Sequence, residues 1–239
     1  MRYTQSALGV VWAFLHPAVM TFLYWLVFSY GLKLQPAGNA PFLIWFFCGF
    51  IPWTSFSEMI TMITPSVVNH PALIKRTLFP SEIFPVIYAL VSGFGHLIMM
   101  VILLLLLLLS HIPVTWYALQ FFYYSAGLIL LTIGLGWLFS SLNVLSRDIG
   151  QLVAILLQVW FWATPIIYGP ELVPPFLHWV LQINPLYYVV HGYRNTFVYF
   201  QPFWNDGVTA IIFWGEVLTI LILGGFVFKR FKPEFADIL

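Results

Sequence analysis

Long apolar runs alternate with short polar joints along most of this chain. About 20 helical residues at 1.5 Å each cover the hydrocarbon core of a bilayer. Runs of that length fall at about 10–30, 42–63, 83–109, 116–141, 149–168 and 208–228. The pattern predicts an all-α integral membrane protein with six transmembrane helices. The third run ends in seven consecutive leucines, which read as lipid-facing filler. Between the last two runs the pattern changes, because Pro170, Pro174, Pro175 and Pro185 cut the chain into apolar pieces too short to span. The stretch 174–199, with Phe176, Trp179, Leu181, Tyr187, Tyr188 and Val189, is predicted to form two re-entrant helices on the outer side. Residues 64–81 read as an amphipathic surface helix, with Leu73, Ile74, Leu78 and Phe79 beside the basic pair Lys75-Arg76. Ser146-Arg147-Asp148 makes a charged step into the fifth run.

Composition supports the membrane assignment: 62% of residues are hydrophobic and only 7% are charged, against about a quarter charged in soluble domains. A net charge of +1 argues against a nucleic-acid partner. The single cysteine, Cys48, has no intrachain disulfide partner. Arg2 and an uncleaved first span point to no signal peptide, and no polar stretch is long enough for a soluble core, so 1–239 reads as one transmembrane domain. Six spans put both termini on one side. With the termini in the cytoplasm, Arg2, Lys75, Arg76, Arg147, Lys229, Arg230 and Lys232 lie inside and only Lys33 and Arg194 outside, as the positive-inside rule requires.

The inventory of reactive groups is thin. Aspartates occur only at 148, 206 and 237, and the histidines at 16, 70, 96, 111, 178 and 191 lack metal-ligand spacing. No glycine precedes a lysine, so there is no phosphate-binding loop, and any ATP must be bound by another subunit. Metal and cofactor sites are therefore not expected in this chain. Glu216 lies within the sixth run, where an unpaired carboxylate costs on the order of 2.5–3.5 kcal/mol. It should face protein or water, with His96 and Arg194 as conceivable partners, in a packing or a transport role. Glu58 lies closer to the interface. Tyr24, Trp25, Phe28, Trp160, Phe161 and Trp162 read either as packing and interface aromatics or as a path on which sugar rings slide. Lys75 and Arg76 serve either as topology markers or as donors to a lipid phosphate.

These pieces occur together in a known family. Arg2-Tyr3-Thr4-Gln5-Ser6-Ala7-Leu8-Gly9 with Trp12, Leu73-Ile74-Lys75-Arg76 with Phe79-Pro80, and Arg147-Asp148-Ile149 supply the first part of the match. Thr164-Pro165-Ile166-Ile167-Tyr168, Asn184-Pro185, Gly192-Tyr193-Arg194 and Lys232-Pro233-Glu234-Phe235-Ala236-Asp237 continue it in order. The chain resembles the membrane permease subunit of bacterial type 2 ABC exporters of lipid-linked polysaccharides, the teichoic acid and O-antigen type. The resemblance implies a homodimer in the bacterial cytoplasmic membrane, joined to two cytoplasmic ABC ATPase subunits that bind ATP and Mg2+. It implies a polyprenyl diphosphate-linked glycan as substrate. Residues 64–81, with Arg2, Lys75 and Arg76, would form a gate or coupling helix, and Arg147 and Asp148 would contact the ATPase. Tyr187, Tyr188, Tyr193 and Arg194 would belong to an outer cap, and their pattern leans towards teichoic acid. Family members carry an amphipathic helix before the Arg-Tyr motif, where Met1 stands here. The rival readings are a type 2 ABC permease for a drug or small lipid, and a membrane enzyme acting on lipid-linked sugars.

Overall fold

The computed structural model describes residues 40–76 and 80–239, together with positions 19, 22, 23, 26, 27 and 31; Arg76 is described by its backbone alone. The expected first span over 10–30 falls mostly outside these residues, as do Arg2, Tyr24, Trp25 and Phe28. All regular elements among the described residues are helical. Four stretches are long and apolar enough to cross a membrane: Phe42–Ile63, Ile83–Leu109, Trp116–Leu145 and Phe203–Ile238. They coincide with the second, third, fourth and sixth expected runs.

Helix α1 (Phe42–Ile63) follows Pro41 and is apolar on every face. It occupies the centre, with 78% of its best apolar window buried. Pro52 removes one backbone donor inside it. Nearby, the Thr54 hydroxyl donates to the carbonyls of Phe50 and Ile51 at 2.9 and 3.0 Å. A run of turns leads to α2 (Pro71–Arg76), six residues long. The surface helix expected over 64–81 is therefore confined, among the described residues, to this single piece. Pro71 sets where this piece begins, since its fixed φ and missing N–H suit the first position of a helix.

Helix α3 (Ile83–Leu109) ends with His111 in the left-handed region, φ 56°, and the Ile112 amide bonded to the Leu107 carbonyl, a Schellman closure. A 3-10 turn at Trp116–Leu119 feeds α4 (Gln120–Leu145). Ser146 is extended, and α5 (Asp148–Ala163) opens with Asp148 in its first turn, where a carboxylate complements the helix dipole. The fifth run extends to Tyr168 in the sequence, but α5 stops at Ala163. Its 16 residues make about 24 Å of helix. The cause is Pro165: Thr164 before it is extended, with φ −103° and ψ 126°.

The proline-rich segment then forms short pieces, α6 (His178–Gln182) and α7 (Pro185–Arg194). Asn184 caps α7 by accepting from the Leu186 amide, with Pro185 at its first position. A π turn over Asn195–Tyr199 and Phe200 in the left-handed region lead to α8 (Gly207–Phe231). The chain closes with α9 (Phe235–Ile238), which packs against α2.

The main core joins α1, α3, α4, α7 and α8. The α4–α8 contact is the most extensive among the described residues, and it depends on small residues. A Cβ on Gly134 would come within 2.9 Å of the Leu221 nitrogen, and one on Gly224 would collide with the Gly134 carbonyl oxygen. Such close backbone approach is how helices associate where lipid removes the hydrophobic driving force. Burial also runs opposite to a soluble protein. Only 33% of the α3 window and 22% of the 203–238 window are inside the protein, although these are the most apolar stretches. Phe94, Leu108, Val208, Ile211 and Phe226 stand mostly exposed. Water would oppose that surface, whereas hydrocarbon accepts it.

Candidate functional site

The two ends of the bundle differ. One end carries α7, the start of α1, the start of α4 and the 195–206 turn. Its exposed tryptophans, Trp116, Trp179 and Trp204, match the belt that amphipathic rings form at headgroup level. The other end carries α2, Glu82, the 145–148 step and the basic tail.

At the capped end α7 is enclosed by α1, α4 and α8, with Tyr188, Val189, Val190, Tyr193 and Arg194 all buried. Gly192 makes this possible, because a Cβ there would collide with the Tyr124 ring. Arg194 is 1% exposed. Its Nη1 and Nη2 donate to the carbonyls of Pro165 and Ile166, each at 2.8 Å, and its guanidinium lies 3.5 Å from the centre of the Trp45 ring. The two carbonyls are available because Pro165 ends α5. Asn184 ties the same turn down: its Oδ1 accepts from Trp160 Nε1 at 2.9 Å, and its Nδ2 donates to Thr164 Oγ1 at 3.0 Å. The Asn184-Pro185 and Gly192-Tyr193-Arg194 motifs thus meet Thr164-Pro165-Ile166 in one assembly. Tyr123, Tyr188 and Trp214 form a second group, with Tyr123 bonded to both at 3.0 and 2.7 Å.

A buried polar chain links this cap to three spans. Ser55 of α1 pairs with His96 Nδ1 of α3, His96 Nε2 lies 2.7 Å from the Tyr193 hydroxyl, and Ser125 of α4 lies 2.9 Å from that hydroxyl. A serine–histidine pair resembles a nucleophile and its base, but all four residues are buried in the interior. The group is an interhelical polar clasp. Only the isolated polar positions Ser55, His96 and Ser125 within apolar runs signal it in sequence.

One expected pairing needs correction. Neither His96 nor Arg194 meets Glu216: both are occupied as just described. Glu216 is half-buried on α8, and its Oε2 has no hydrogen-bond partner among the described residues. Arg194 and Tyr193 lie in the interior of the cap. Tyr187 is half-buried and stacks on His191, with ring centres 5.6 Å apart. The three α5 aromatics do not share one face. Trp160 meets Phe56 edge-on at 5.3 Å, Phe161 packs on Trp53 at 5.4 Å, and Trp162 points outward, 65% exposed.

At the basic end Lys75, Arg147 and Asp148 are exposed. Glu58 is also exposed, near Gly95 of α3. Lys232 Nζ donates to Glu82 Oε2 at 2.6 Å, and Trp137 Nε1 donates to the Glu82 carbonyl at 2.9 Å. This pair fastens the tail to the start of α3. Partial burial works to raise the Glu82 carboxyl, but the Lys232 hydrogen bond and charge, with the backbone amide, hold it below its ordinary value. Among the described residues no group of acids, histidines and cysteines is disposed to hold a metal.

The sequence matches the ABC-2 type transporter family over residues 1–198. It is 27% identical over 240 residues to an O-antigen export system permease protein RfbA of Klebsiella pneumoniae, covering 100% of this chain and 90% of that protein. A Myxococcus xanthus protein of the same name is 24% identical over 238 residues, covering 99% of this chain and 90% of its own length. With most of its length matched, and with apolar spans closed at one end by a buried half-helix and basic at the other, the chain belongs to the ABC-2 type transporter family.

Proposed function

We propose that this chain is the membrane permease of an ATP-driven exporter of polyprenyl diphosphate-linked polysaccharide, of the O-antigen type. The observation that carries the reading is the end-to-end similarity to proteins named as O-antigen export permeases. Teichoic acid remains the second substrate class, on the Tyr187-Tyr188 and Gly192-Tyr193-Arg194 pattern alone. Two copies pair with two cytoplasmic ABC ATPase subunits, which hold ATP and Mg2+. Each copy has six spans with both termini in the cytoplasm, so the capped end faces outward and α6 and α7 are the re-entrant pair. The positive-inside distribution of the nine basic residues supports this orientation.

In this reading ATP-driven closure of the partner subunits acts on the exposed Arg147-Asp148 step and on α2, and the spans part to admit the glycan. Lys75 and Arg76 are the candidates to meet the lipid diphosphate, with Arg2 as a further one. Trp160, Phe161 and Trp162, with Tyr24, Trp25 and Phe28, are the candidates for a sliding surface. Drug or small-lipid export, and enzymatic modification of lipid-linked sugars, are the rivals.

The test is co-purification with the ATPase encoded beside it, followed by ATPase assays with and without lipid-linked glycan. Glycan-stimulated hydrolysis in a stable complex is the expected result. Stimulation by small lipids alone, or conversion of the glycan by the isolated chain, would overturn the reading. In the same complex, Arg147→Ala with Asp148→Ala should keep assembly and ATP hydrolysis while surface polysaccharide is lost. Normal export would remove both residues from coupling.

A further inference from the structure

Beside α7, at the capped end, lies a cavity of about 320 Å3, at the lower end of the roughly 300–1,000 Å3 typical of small-ligand sites. Trp45 and Tyr199 give it aromatic walls, and Trp45 Nε1 is fixed by a 3.0 Å bond to the Tyr199 hydroxyl. Arg194 and Asn195 line it from the protein side, while Glu171 and Gln201 stand exposed at its mouth. Pro170 and His191 complete the lining, with Asp206 Oδ2 4.0 Å from His191 Nε2.

Arg194 and Asn195 are each 1% exposed. Arg194 spends Nη1 and Nη2 on carbonyls, and Asn195 donates through Nδ2 to Asp206 at 3.1 Å. Yet Arg194 Nε and Asn195 Oδ1 have no hydrogen-bond partner among the described residues. One is a donor and the other an acceptor, and buried groups of either kind are normally satisfied. A polyhydroxyl ligand carries both kinds of partner, an acceptor for the one and a donor for the other.

Charge narrows the ligand further. A carboxylate or phosphate would approach Arg194 but would also meet Glu171 at the mouth and Asp206 beside His191. A cation would meet Arg194. The half-buried Tyr199 ring suits the apolar C–H face of a sugar ring, and Trp45, itself covered by the Arg194 guanidinium, holds that wall in place through the Tyr199 hydroxyl. We infer that this cavity is a subsite for one uncharged pyranose ring of the translocated glycan, held at the capped end by Arg194, Asn195 and the Trp45–Tyr199 wall. The inference rests on the export reading for the identity of the polymer that brings the ring. The cavity sits against α7, so an occupied subsite grips the chain at the cap itself.

The test is saturation-transfer NMR on the permease–ATPase complex in nanodiscs. The probes are methyl mannoside, methyl galactoside and N-acetylglucosamine, with glucuronate as the charged control. Transfer to at least one uncharged sugar is expected, and Gln201→Trp, which fills the mouth, should weaken it about tenfold or more. Gln201 makes its structural contacts through its backbone, to the Asn195 carbonyl and from the Gln120 side chain, so this variant should retain its size-exclusion profile. Glu171→Gln should admit glucuronate. No transfer to any uncharged sugar, binding indifferent to Gln201→Trp, or stronger binding of glucuronate to the unaltered protein would each overturn the subsite. Surface polysaccharide is scored separately, in cells lacking their own permease. Normal export without sugar binding overturns the subsite alone. Gln201-dependent sugar binding in a chain that exports nothing supports the subsite and overturns the export reading.

Discussion

Arg194 shows how a cation is held inside an apolar bundle without a carboxylate at bonding distance. Two carbonyls freed by Pro165 and the face of Trp45 take the place of a counter-ion, and only a planar fork fits all three at once. Lysine keeps the charge but cannot bond both carbonyls while stacking on the ring. Arg194→Lys is therefore expected to lower the melting temperature of the purified complex, with a cost of about 1–3 kcal/mol for an orphaned buried group. Unchanged melting and export would show that the charge alone matters. Glu216 is the opposite case, a half-buried acid with an unpartnered oxygen, placed apart from both the cap and the basic end. Glu216→Gln should leave surface polysaccharide unchanged, because no described residue bonds or pairs with the unpartnered oxygen. Loss of export would make Glu216 part of the transport path.

Among the elements, the short pieces decide most. The 64–81 connection is fastened from outside, by α9 on α2 and by the Lys232–Glu82 bond. Both side chains of that bond are more than a third exposed, so its worth is below about 1 kcal/mol. Its pH dependence has a definite sign. The folded Glu82 carboxyl titrates below its ordinary value, so its contribution is complete above the unfolded carboxyl's pKa, and it is lost as pH falls through the lower folded value. The melting difference between the native chain and Glu82→Gln should thus be present at neutral pH and close on acidification. A difference independent of pH would assign the effect to packing.

Over the whole molecule, the arrangement predicts sidedness. The one cysteine, Cys48, is fully buried and should resist a membrane-impermeant maleimide. Trp204→Cys, at the capped end, should label in intact cells from outside, and Arg230→Cys only after permeabilisation. The reverse pattern would invert the orientation and place the basic end outside.

Apolar run length set four of the spans before any contact was known, since crossing hydrocarbon depends on length and polarity, which are local properties. Prolines set the breaks between 170 and 185 for the same reason, whereas the apolar run 149–168 reads straight through Pro165, where α5 has already ended at Ala163. Tertiary structure alone decided which polar side chains meet. Ser55, His96, Ser125 and Tyr193 come from four separate elements, and no spacing along the chain encodes their convergence. It also decided that Arg194 turns inward, that Trp160 and Trp162 take different faces, and that the motifs around residues 165, 184 and 194 form one cap. Those outcomes depend on how helices pack, through glycine contacts and satisfied hydrogen bonds between segments far apart in sequence.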